Sequence, residues 1–98
     1  MIYALLFEDN DEHADMRAKY MSDHLAFLLR NAKSILAAGP LKDAKCQEAA
    51  GGLWLVEADS LQDVNVLIES DPFWPTGLRK SIRILEWTRV FADGKKLI

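Results

Sequence analysis

Three runs of consecutive apolar residues constrain this chain more than any other feature: Ala4-Leu5-Leu6-Phe7, Ile35-Leu36-Ala37-Ala38 and Leu53-Trp54-Leu55-Val56. Each is too short for a helix of ordinary length and is bounded by polar or turn-forming residues, so each reads as a strand. None alternates apolar with polar, as a strand with one face in water does. Both faces of the sheet they form must therefore be covered.

Between the strands lie two segments of helical period. Ala14, Ala18, Met21, Leu25 and Leu28 recur at spacings of 4, 3, 4 and 3 and draw one apolar stripe. The acidic run Glu8, Asp9, Asp11 and Glu12 precedes or opens that helix, where negative charge complements the helix dipole. Ser60, with Asp63 three residues on, is a capping-box-like start for the second helix, whose apolar face carries Leu61, Val64 and Leu67 or Ile68. Asp71-Pro72 ends it, because a residue before proline is pushed out of helical geometry. The second strand is expected over residues 33–38, stopped by Gly39-Pro40, and the third over 53–58 after a polar connection, 41–51. A last long strand is expected from about Lys80 to Phe91, before a polar tail at 92–98.

The resulting order, β-α-β-β-α-β, is the ferredoxin-like pattern: an α+β fold with two helices on one face of a four-stranded antiparallel sheet. The helices cover only one face. A second copy, sheet against sheet about a two-fold axis, is the economical cover for the other, so the expectation is a homodimer of the dimeric α/β barrel type.

The 98 residues suffice for one domain, 1–98, and half are hydrophobic, so a core can form without staples. The single cysteine, Cys46, excludes an intrachain disulfide and fits a reducing, cytoplasmic setting. The first residues read as a strand rather than a signal peptide, and no apolar stretch approaches the roughly 20 residues that span a bilayer, so no membrane partner is expected. A net charge of −3 with dispersed Lys and Arg lacks the footprint of a nucleic-acid binder.

Chemistry-bearing patterns are few. Asp9-Asn10-Asp11 with Asp15 superficially suggests a calcium loop, but the glycine and glutamate that such a loop needs are missing. His13 and His24 have no metal-ligand spacing, so no metal is expected. Cys46 has no motif to make it a nucleophile, and no phosphate loop or nucleophile elbow occurs. On a helical wheel His24 falls roughly 80° from the centre of the first helix's stripe, at its margin, with Arg17 on the same flank. Asp71 ends the second helix, next to a loop carrying Phe73 and Trp74, which are the candidate pocket walls. If the helices lie side by side, His24 and Asp71 meet near one end of the sheet. A carboxylate bonded to one imidazole nitrogen fixes the tautomer and leaves the other nitrogen to move a proton, without metal, nucleotide or other cofactor. The bland alternative is a packing histidine and a common helix stop.

The pieces His24 to Leu28, Leu36 to Leu41, Gly51 to Ser60, Ser70 to Leu78 and Ile82 to Phe91 resemble the YciI-like (YCII-related) family in order and spacing. The resemblance implies a ferredoxin-like dimer with a sheet-to-sheet interface, and a pocket whose His-Asp pair maps onto His24 and Asp71. One branch of the family resembles a dehydrochlorinase of a chlorinated hydroxyquinol, and the wider superfamily includes muconolactone isomerases. The implied activity is small-molecule acid/base chemistry of the lyase or isomerase kind. The chain departs from the family pattern at Met21-Ser22-Asp23, where a basic lead before the histidine is usual. The rival expectation is a non-catalytic dimeric domain that binds a small molecule or serves as an interaction module.

Overall fold

A computed structural model describes all residues, 1–98. Its elements are β1 (Ile2–Asp9), α1 (Asp15–Arg30), β2 (Ile35–Lys42), β3 (Ala49–Glu57), α2 (Leu61–Ser70) and β4 (Arg79–Glu86), followed by a small hairpin, β5 (Phe91–Ala92) with β6 (Lys95–Lys96). The main sheet has the order β2-β3-β1-β4 with every pair antiparallel, which is the ferredoxin-like arrangement.

Alternate residues of the central strands enter the core. Tyr3, Leu5 and Phe7 of β1 and Trp54 and Val56 of β3 pack with Phe27 of α1 and with Val64 and Ile68 of α2. Their neighbours Ala4, Leu6, Leu53 and Leu55 point to the other face and stay half-exposed, joined there by Leu85 and Trp87. That face is apolar and the chain itself does not cover it, as the missing alternation required.

Helix α2 begins as expected: the Ser60 hydroxyl accepts the Asp63 N–H at 3.2 Å. Three expectations are corrected. Strand β2 does not stop at Gly39-Pro40 but runs through to Lys42, with register shifts on both sides. It is an edge strand, where proline is tolerated because one side of the ladder has no partner to lose. Strand β4 ends at Glu86 rather than Phe91, and the segment beyond forms the small hairpin instead of a plain tail. It turns at Asp93 and Gly94, both at positive φ. Lastly, the buried face of α1 is centred on His24 and Phe27, with Leu25 half-exposed, so the true stripe is rotated from the apolar one.

Candidate active site

The site lies where the C-terminal end of α2 meets the middle of α1 over the sheet. Pro72 forces Asp71 out of helical geometry, to φ −68° and ψ 132°, and the chain turns back on itself. The turn is held by the carboxylate, whose Oδ1 accepts the Phe73 N–H at 3.1 Å. The same Oδ1 lies 2.7 Å from His24 Nδ1. Both side chains are almost wholly buried.

An ionised carboxylate only accepts hydrogen bonds, so Nδ1 carries the proton and neutral His24 has its lone pair on Nε2. Nε2 has no hydrogen-bond partner, yet it is not sealed in: the one fully enclosed side-chain polar atom without a partner is Arg79 Nε. Aromatic rings fix the imidazole plane. Phe73 stacks on it at 4.3 Å between centroids, with Trp54 at 6.1 Å and Phe27 at 6.4 Å. Gly77 lets the loop after Phe73 close, since it adopts φ +79° with the His13 ring against the position a Cβ would take.

The structure thus brings together His24, Asp71 and Phe73. Trp74 is elsewhere: it sits on a short 3-10 turn, 43% exposed, and makes none of the ring contacts to His24.

Three charged residues gather at the site, of which the sequence placed only Arg17 near His24. Arg79 opens β4, directly across from Asp9 on β1. Its guanidinium donates to Asp9 Oδ1 at 3.1 Å, lies 3.8 Å from Asp71 Oδ2, and sits over the rings of Phe7 and Phe73. Asp9 Oδ2 in turn pairs with Arg17 of α1. Burial draws the Arg79 guanidinium down from its ordinary range while Asp9 and Asp71 hold it up, and it remains a cation. Asp9 is therefore not an ornament of the helix start: it ends β1 and anchors two arginines. Its cross-strand pairing with Arg79 is the signal that could have revealed it, but that needs the register.

A four-stranded antiparallel sheet with two helices, enclosing a hydrogen-bonded His24–Asp71 pair, defines a small α+β domain of ferredoxin-like fold. The model of the YCII-related domain matches residues 1–88, and the chain belongs to that family. Among solved structures it is similar to 5-chloro-2-hydroxyhydroquinone dehydrochlorinase (TftG) from Burkholderia phenoliruptrix AC1100, determined in complex with 2,5-dihydroxybenzoquinone. The two are 25% identical, with a TM-score of 0.78 over 90% of this chain and 94% of that one. A protein from Arabidopsis thaliana is more distant, 13% identical with a TM-score of 0.49 over 94% of this chain and 97% of its own. No curated protein matches the chain. The Burkholderia neighbour supports lyase-like activity at the level of the family. No helix is long and apolar enough to cross a membrane.

Proposed function

We propose that the chain is a cofactor-independent enzyme of the lyase or isomerase kind, in which His24 moves a proton and Asp71 orients it. The observation that carries this reading is the 2.7 Å contact between Asp71 Oδ1 and His24 Nδ1, which leaves Nε2 free. In an elimination, Nε2 takes a proton from a phenol, the released pair forms a C=O bond, and the ring electrons it displaces let the chlorine-bearing carbon take a proton from the imidazolium. Nε2 then takes a second phenolic proton, chloride departs with its bonding pair as the quinone forms, and the imidazolium gives that proton to water. In an isomerisation the imidazolium returns it to another carbon of the substrate. Asp71 compensates the imidazolium in both cases. Phe73, buried and stacked on the imidazole, backs the site, and the exposed Trp74 on the adjoining turn is the aromatic face offered to a planar substrate. The chain works in the cytoplasm as a homodimer, joined through the apolar sheet face that carries Leu53, Leu55 and Leu85.

The similarity to a dehydrochlorinase at 25% identity supports chlorinated hydroxyquinols as first substrates to try. The test is chloride release from 5-chloro-2-hydroxyhydroquinone, and ring opening or isomerisation of a panel of small lactones, with the unchanged protein and His24→Gln. Turnover lost in the variant supports the proposal. Equal rates in both contradict it.

A second reading has its own observation: none of the surface cavities is lined by His24 or Asp71. A pair that lines no cavity favours a non-catalytic dimeric domain that binds a small molecule elsewhere, with the His-Asp pair holding α1 against α2. On that reading His24→Ala lowers the melting temperature and leaves ligand binding intact.

A further inference from the structure

Arg79 is an unexpected residue to bury. Its side chain is 4% exposed, clamped between the rings of Phe7 and Phe73, with Nε enclosed and unpartnered. A surface ion pair with Asp9 would not need this: Arg17, at the rim, already supplies one. Burying a cation is unfavourable unless its field is used. What Arg79 alone does is join two pairs. On one side it donates to Asp9, and on the other it faces the Asp71 oxygen that His24 does not use.

The charged groups around His24 therefore form one chain from four elements: Arg17 on α1, Asp9 on β1, Arg79 on β4 and Asp71 after α2. Strand β3 presents Trp54, and the remaining ring neighbours, Phe27 and Phe73, carry no charge. The other histidine, His13, packs against Gly77. Two cations and two anions cancel when His24 is neutral. A proton on His24 then adds one positive charge to a poorly hydrated cluster.

We infer that Arg79 is a positioning residue for the His24–Asp71 pair, one that keeps Asp71 an acceptor and whose charge opposes a proton arriving on His24. Asp71 stabilises the imidazolium once it forms, and Arg79 limits how early it forms. The catalytic consequence rests on the acid/base reading above, whereas the electrostatic claim does not.

The experiment is an NMR titration of the His24 ring, assigned by its absence in His24→Ala, in the unchanged protein and in Arg79→Met, Arg79→Lys and Asp9→Asn. Removing the cation leaves an excess negative charge, so in Arg79→Met the His24 midpoint moves up by about one pH unit, a tenfold gain in proton affinity. Arg79→Lys restores the charge and brings the midpoint back. Asp9→Asn leaves an excess positive charge and moves the midpoint down; this position is near the rim, so the variant carries the test if Arg79→Met does not fold. A midpoint that stays in place or moves the opposite way overturns the inference and leaves Arg79 a packing residue. None of these readings depends on turnover. An active protein with an unmoved midpoint refutes the role of Arg79 alone, and a shifted midpoint in an inactive protein refutes the proposed activity alone.

Discussion

Asp71 Oδ1 accepts from a backbone N–H and from an imidazole at once, so one oxygen couples the turn after α2 to the orientation of His24. Asp71→Asn preserves the shape but sets an amide against Arg79 and removes the charge that compensates the imidazolium. Its kcat is expected to fall about 10²- to 10⁴-fold, the usual worth of a positioned acid/base group, with KM little changed; steady-state kinetics on whichever compound turns over checks this. Phe73 is completely buried against His24, and Phe73→Ala is expected to cost about 3–5 kcal/mol in urea unfolding. His24, Asp71 and Phe73 were legible because a histidine on a helix and an Asp-Pro-aromatic turn are local patterns. Arg79 and Asp9 were not: they lie 70 positions apart, and only the register of β1 against β4 makes them neighbours. Arg17 was legible on the flank of His24, but its pairing with Asp9 depends on how α1 packs over the end of β1.

Helix α1 shows how polar residues on a buried face mislead a hydropathy reading. Its inward face carries Arg17 and His24 among its apolar residues, so the most apolar stripe points elsewhere and leaves Leu25 and Leu29 in solvent. The helix was legible and its orientation was not, because Arg17 and His24 stand where apolar residues would mark the buried side. The path of β2 through Gly39-Pro40 was hidden for another reason: whether proline ends a strand depends on whether that strand is an edge. The start of α2 was fully local, and Ser60→Ala is expected to lower stability by about 1 kcal/mol in thermal or urea unfolding. Between β2 and β3, the N–H groups of Cys46 and Lys45 hold the Asp43 carboxyl below its ordinary value. A group depressed in the folded state contributes above its unfolded value, near 3.9, and that contribution disappears as pH falls through the folded one. The protection factors of the Lys45 and Cys46 amides, taken against their intrinsic exchange rates, should therefore fall in acid before those of the sheet amides.

The whole molecule leaves one sheet face uncovered. Leu85 and Trp87 are each more than a third exposed beside Leu53 and Leu55 of β3, a strand whose outward residues would be polar if water were their normal neighbour. Two copies placed face to face remove that surface from water, and light scattering at micromolar concentration is expected to give twice the 11.1 kDa of the chain. Leu55→Lys should return the mass to that of one chain, and a monomeric mass for the unchanged protein refutes the dimer. The two-faced apolar strands made this surface legible from sequence alone. The hairpin from Phe91 to Lys96 was not foreseen, because it depends on a turn at Asp93-Gly94 that a reading for one long final strand passes over.

The central claim, that His24 is a base held by Asp71, is tested most directly by ¹⁵N NMR of the His24 imidazole, with and without 2,5-dihydroxybenzoquinone, the compound bound by the Burkholderia neighbour. The account predicts a neutral ring protonated at Nδ1, a preference lost in Asp71→Asn, and a change at Nε2 when the compound is added. A ring protonated at Nε2, or one that ignores both the substitution and the compound, would contradict it.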